Sequence, residues 1–416
     1  MTKIILTGTY SSFNRGDAAM QSCMARELRA ALPGADIVIH TPFPADDRRY
    51  YTDARVIASS RRNLVGASLK LAWLWIRRLL GARGSTLLPG TELRELASSD
   101  LVIDLSGDML TEEHGLHLAW SHFLPLMMAL ALGRPLYVCA QSIGPFRLSR
   151  AGVRRVMRAA AAVSAREQVT MEYLEARLGL DMRRVQLTAD LAFLLEPAAP
   201  ARVDEILREE GLPGATGFLG VSVSAIVAAS HARHNAGVGT TFAGLMAAVL
   251  DAAQEHTGAR IVFISHVTGP RPAKDDRRIS AEVWQRMQRR EHAVVLQGDY
   301  RSEELKGIIA RSAAFMGARM HANIAALSSA VPVLAISYSH KTLGIMRLLG
   351  VGEWVADSRS LTVDALRGRL DDLWAQREAL SSHLRSRLGA TREASRRNVA
   401  IALELLHNAA EVTNHG

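Results

Sequence analysis

The chain has 416 residues, 48% of them hydrophobic and 22% charged, which excludes long disorder and provides the cores of two domains. Fifty Lys and Arg against 41 Asp and Glu leave a formal charge of +9, a balance suited to anionic partners; with no nucleic-acid-binding motif, phosphorylated substrates and anionic lipid come ahead of nucleic acid. Two cysteines, Cys23 and Cys139, exclude a disulfide framework or a Cys/His zinc site and point to a reducing compartment.

The N-terminus lacks the apolar run and cleavage site of a signal peptide. The opening predicts a strand over Lys3–Thr7, a Gly/Ser/Asn loop over 8–16 and a helix over Asp17–Leu32. Further strands are expected at Asp36–His40, Leu101–Leu105, Leu136–Ala140, Ala161–Ala165 and Val185–Thr188. Gly133-Arg134-Pro135 cuts the apolar stretch 123–140 into a helix and a strand, so no spanning helix is expected. A linker-like run crosses 194–203. A second series of strands follows at 217–224, 260–265, 292–296, 313–316 and 333–337, with helices at 239–257, 302–311 and 319–329. Strands alternating with helices predict a parallel α/β sheet in each half, with the site in loops at the strands' carboxyl ends. The expected domains are 1–195, 204–375 and a helical segment 376–416.

Residues 61–84 stand apart. Trp73 and Trp75 sit among apolar residues with Arg61, Arg62, Lys70, Arg77, Arg78 and Arg83 and no acid. The composition fits a helix lying in a membrane interface, or a core helix with a solvated basic edge.

Four constellations could carry chemistry. Gly8–Asp17 offers loop amides at a helix start, with Asn14, Gly16 and Asp17 as candidates; Asp17 could equally serve as the helix N-cap. Gln141-Ser142-Ile143-Gly144-Pro145 follows a strand, as a ligand loop or a plain strand-to-helix turn. Arg166 closes another strand, as an anion-binding fork or a surface partner of Glu167. Arg319 and His321 open a helix after a strand, where an anion would meet arginine, histidine and amide donors together; a packed helix histidine is the bland alternative. Lys341, one of five lysines, follows the next strand. Asp275 and Asp276 read as a solvated turn, and no acidic cluster suggests a metal.

Taken together, the Asn14-Arg15-Gly16-Asp17 loop, Gln141–Pro145, Arg166-Glu167, Ala189–Phe193 and Arg319-x-His321 followed by Lys341 resemble the polysaccharide pyruvyl transferases over residues 4 to 350. The resemblance implies two Rossmann-like domains in a GT-B-like arrangement, with acceptor on the N-terminal and donor on the C-terminal side. It implies transfer of the pyruvyl group of phosphoenolpyruvate onto sugar hydroxyls of a polysaccharide or lipid-linked glycan precursor, as a ketal. No cofactor is implied; phosphoenolpyruvate is the donor substrate. By the same resemblance Arg166, Arg319 and Lys341 bind donor and His321 is the acid–base residue. Asp17 or Asp108 could take the hydroxyl proton, and Asn14, Gly16, Asp108, Gln141 and Ser142 are acceptor-side or loop candidates. Many members carry a run of glycines where this chain has Ser106-Gly107-Asp108, so the acceptor is the least transferable property. The expected location is cytoplasmic, with membrane association at the inner face through 61–84. The alternatives are a GT-B-type glycosyltransferase using a nucleotide sugar, and a non-catalytic binding relative.

Overall fold

The computed structural model describes residues 1–81, 88–234, 241–337 and 339–414. Arg83 and the end of the 61–84 segment, the start of the 239–257 helix and Tyr338 lie outside the described residues.

The chain divides into two units. The first comprises residues 1–12, 20–194 and 393–416, the second residues 13–19 and 195–392. The first unit holds seven parallel strands: β1 (Lys3–Thr7), β2 (Asp36–Thr41), β3 (Arg55–Ala58), β4 (Leu101–Asp104), β5 (Leu136–Gln141), β6 (Ala162–Ala165) and β7 (Val185–Leu187), in the order β3-β2-β1-β4-β5-β6-β7. The second holds six: β8 (Phe218–Ser222), β9 (Ile261–Phe263), β10 (Ala293–Val295), β11 (Ser312–Gly317), β12 (Val333–Ser337) and β13 (Val355–Asp357), in the order β10-β9-β8-β11-β12-β13 and again all parallel. Each unit starts at the middle of its sheet, builds outward to one edge, then returns to build the other. This is the doubly wound α/β order, with the crevice of each unit where the direction reverses, between β1 and β4 and between β8 and β11.

The strand sequences explain the layering. β4 reads Leu-Val-Ile-Asp and β12 Val-Leu-Ala-Ile-Ser, buried throughout, so both faces of each sheet are covered. The expected α/β class with two Rossmann-like units is what forms. β3 and β13, of four and three residues, were not among the expected strands; runs that short carry too little periodicity to read.

The chain's last helix, Arg377–Asn414, contributes to each unit separately. Within the second unit Ser381 donates to the Ala330 carbonyl, and His383 Nε2 lies 2.9 Å from the Leu349 carbonyl. Within the first, Asn398 Oδ1 accepts from Tyr137 and Ser164, and its Nδ2 donates to the Ala189 carbonyl. Residues 376–416 are thus shared between the two units, and residues 13–19 are counted with the second.

Candidate active site

The second unit gathers its polar residues at the carboxyl ends of β8, β9, β10 and β11. Arg319 leaves β11 and immediately precedes the helix Met320–Leu327. Its Nε and Nη2 donate to the two carboxylate oxygens of Asp276, both at 2.8 Å. Asp276 opens the helix Asp276–Arg286 and is fully buried. The paired geometry fixes the plane of the guanidinium. The expected solvated turn at Asp275 and Asp276 is therefore corrected. Asp275 does cap the helix and binds Arg277, but Asp276 turns inward to orient Arg319.

His321 sits in the first turn of the Met320–Leu327 helix. Segment 13–15 lies beside it in the same unit. Asn14 makes an antiparallel bridge to Val267, and the Arg15 amide donates to the His266 carbonyl at 2.9 Å. The helix begins at Arg15, so Asn14 and not Asp17 precedes it; Asn14 Oδ1 accepts from the Gly16 amide at 3.2 Å. Asp17 is buried in the first turn. Gly16 is packed against the imidazole: a Cβ there would lie 2.1 Å from His321 Nδ1, far inside contact distance. A glycine is required at 16 because the ring of 321 occupies the space of a side chain.

Two further residues, Arg15 and His266, belong to this cluster, and Lys341 follows on the neighbouring β12 loop. Buried Arg15 pairs with Asp299, and its carbonyl accepts from Ser302 at 2.7 Å. His266, after β9, is almost fully buried. Burial, together with the nearby Arg15 and Arg319, pushes its pKa down to about 3, so the ring is neutral. Lys341 is buried in the first turn of the helix His340–Leu348, after β12, where the Ser339 hydroxyl accepts its amide N–H.

The first unit has its own polar cluster at the β1/β4 reversal. Asp104, ending β4, accepts from Ser106 Oγ at 2.6 Å and from Gln141 Nε2 at 3.0 Å. Ser106 Oγ lies 3.2 Å from Nδ1 of the buried His122. Arg61 donates to the Gly8 and Thr9 carbonyls at 2.8 and 3.0 Å. Gly8 has a positive φ of 98°, and a Cβ on it would meet Asp104 at 2.2 Å. Burial pushes the Asp104 carboxyl up to about 7 although Ser106 and Arg61 pull it down. Between about pH 4 and 7 the folded chain then carries a proton that the unfolded chain has released, so stability falls as pH rises through that window and levels above it. Asp104→Asn should flatten this slope, changing the stability difference between pH 4 and pH 8 by roughly 3–4 kcal/mol in denaturant titrations.

Arg166, the first residue after β6, has no exposed surface. Its Nη1 is 2.5 Å from Asp190 Oδ2 and its Nε donates to Ser142 Oγ at 2.8 Å; Ser142 in turn donates to Glu167 at 3.1 Å. The surface pairing with Glu167 is corrected: Arg166 is internal and its carboxylate partner is Asp190. Gln141 and Ser142 are likewise fully buried. Gln141 bonds to Asp104 and Ser142 bridges Arg166 to Glu167, so the pair braces loops from within. Asp108 is half-buried and acts electrostatically on Arg166.

Of the residues singled out in the sequence, the second unit brings together Asn14, Gly16, Asp17, Arg319 and His321. Lys341 lies on the neighbouring β12 loop of the same unit. Arg166, Asp108, Gln141 and Ser142 belong to the first unit. Arg15, His266, Asp276 and Asp299 were not picked out as site residues. Arg15 stood inside a quoted motif, whereas His266 and Asp276 carry no local signal. Among the described residues no group of three or more His, Cys, Asp or Glu is placed to hold a metal ion.

The comparisons with known proteins fit this architecture. Similar solved structures include a glycosyltransferase from Rickettsia africae (TM-score 0.57, 11% identity, 98% of this chain and 99% of that one). UDP-GlcNAc 2-epimerase from Neisseria meningitidis bound to UDP-GlcNAc is similar at TM-score 0.56 and 12% identity, over 97% and 100%. At such identities the likeness concerns fold alone. The amylovoran biosynthesis protein AmsJ of Erwinia amylovora is 25% identical over 379 residues, covering 86% of this chain and 89% of that protein. The model of the polysaccharide pyruvyl transferase family matches residues 14–340, from the Asn14 loop through Arg319 and His321 to the residue before Lys341. The chain therefore belongs to the polysaccharide pyruvyl transferase family, transferases of polysaccharide biosynthesis.

Proposed function

We propose that the protein transfers the pyruvyl group of phosphoenolpyruvate onto two hydroxyls of a glycan or lipid-linked saccharide, forming a cyclic ketal and releasing inorganic phosphate. The observation that carries the reading is the arrangement of Arg319 and His321. A guanidinium held in plane by a buried carboxylate stands two residues from a histidine, in the first turn of a helix at the sheet's reversal point. Phosphoenolpyruvate brings a phosphate and a carboxylate, and Arg319, Lys341 and the helix amides are matched to such groups.

The chemistry needs a proton at the methylene carbon as a sugar oxygen bonds to the adjacent carbon. The carbon–oxygen bond to phosphate then breaks, and the second hydroxyl closes the ring with loss of its proton. His321 is assigned the proton delivered to carbon, since imidazole can donate and recover it near neutral pH. Asp17, in the same first turn as Gly16, is the carboxylate of this unit proposed to receive the hydroxyl proton. Asp276 acts through Arg319 and is a positioning residue. The reaction is assigned to the cytoplasm, a reducing compartment in which the free thiols of Cys23 and Cys139 persist.

A thermal-shift titration tests the donor. Phosphoenolpyruvate at about 100 times its Kd should stabilise the chain by roughly 2.7 kcal/mol, and Arg319→Ala should abolish the shift. A shift with a UDP-sugar and none with phosphoenolpyruvate would establish the glycosyltransferase reading in its place.

A further inference from the structure

We propose that the helix Leu64–Leu79 is a docking face for an anionic lipid bilayer. The helix buries one stripe, Ala67, Leu71 and Leu74, against the first unit. The opposite side of the same helix is also apolar. Val65, Leu69, Ile76, Leu79 and the following Leu80 are 55% to 85% exposed and recur at helical spacing. A helix with one packed face ordinarily presents polar residues on the other. This one is apolar on both sides, and the outer side is left exposed by the described residues of the unit.

The neighbouring helix Leu116–Ala131 extends the patch. Leu116 and Trp120 are exposed, and Trp120 Nε1 donates to Ser68 at 3.1 Å, tying the two helices edge to edge. Together these residues make up most of the large exposed hydrophobic side chains among the described residues.

The charge around the patch selects the occupant. No acidic residue lies between Asp53 and Glu92 in the sequence. Arg62 is exposed beside the start of the helix, and Arg77 and Arg78 stack over Trp73 and Trp75 at 4.9 and 5.5 Å. An indole with a guanidinium above it suits the headgroup level, where the ring is half in hydrocarbon and the cation meets phosphate. A second copy of the chain is disfavoured by the same charges. A two-fold contact through this face would bring Arg62, Arg77 and Arg78 toward their own copies. Among the described residues no helix is long and apolar enough to cross a membrane, so the contact proposed is along the surface. At about 1.5 Å per residue the helix lays roughly 24 Å of apolar stripe on the bilayer.

The inference stands apart from the donor assignment, because vesicle binding is read without substrate. The full chain is sedimented with phosphatidylcholine vesicles containing phosphatidylglycerol, and with pure phosphatidylcholine, at low and high salt. Binding to the anionic vesicles that weakens with salt is expected, and Leu69→Glu/Ile76→Glu should weaken it by at least about tenfold with an unchanged melting curve. Arg77→Glu should reduce the salt dependence. Failure of the wild-type chain to bind anionic vesicles at low salt overturns the proposal, as does undiminished binding by the double variant. A wild-type dimer that the double variant converts to monomer, with no vesicle binding by either, would assign the face to a second copy.

Discussion

Replacing His321 with glutamine should lower the turnover of pyruvyl transfer by about 10²- to 10⁴-fold while phosphoenolpyruvate still binds within a few-fold of the wild-type affinity. Glutamine keeps a hydrogen-bonding side chain of similar reach but cannot exchange a proton near neutral pH. Arg319, Asp276 and Lys341 are untouched, so the groups assigned to donor charge remain. The split between turnover and affinity separates a chemical role from a structural one, since a packed histidine would lower both together or neither. Gly16→Ala should reproduce the effect in part. Its Cβ would lie 2.1 Å from His321 Nδ1, so the ring must move, and displacement of a proton donor by an ångström costs on the order of 10²-fold. Wild-type turnover in His321→Gln would remove His321 from the chemistry.

How much of this site the sequence shows depends on whether the partners are near in the chain. Arg319 and His321 are two residues apart on a strand-to-helix turn, and the helical and strand periodicities around them are strong, so their placement is readable. Asp276 lies 43 residues from Arg319. Next to Asp275 it looks like one of two solvated acids, and only the folded helix start shows that one caps and the other turns inward. His266 follows a three-residue strand and has no companion in sequence; its place near His321 comes from β9 and β11 both pairing with β8. Segment 13–19 is a further case. Following β1, it reads as part of the first half, yet the Asn14–Val267 bridge counts it with the second unit. Local pattern reports the fold class well because each βα repeat restates it. It reports a site only where the site is itself local.

The second large effect concerns Arg166. Asp190→Ala should destabilise the first unit by about 3–5 kcal/mol, because a fully buried guanidinium would lose the carboxylate 2.5 Å away that compensates its charge. Ser142, which contacts Nε, is neutral, which leaves Asp108 and Glu167 as the acids still acting on the guanidinium. Calorimetry should show the unit's transition falling by on the order of 10 °C. The double variant Arg166→Met/Asp190→Asn should recover much of the loss, since two uncharged side chains close to the originals in size need no countercharge and a buried ion pair is seldom more stable than its neutral replacement. That variant also tests what the pair is for. The motif resemblance makes Arg166 a donor ligand, whereas its burial and its bonds to Asp190 and Ser142 make it a brace for the loops after β5 and β6. If the stable double variant keeps the phosphoenolpyruvate affinity of the wild type, Arg166 acts through structure. If it folds but loses that affinity, the guanidinium must leave Asp190 to reach the donor, and the ion pair is a resting state of a residue that moves.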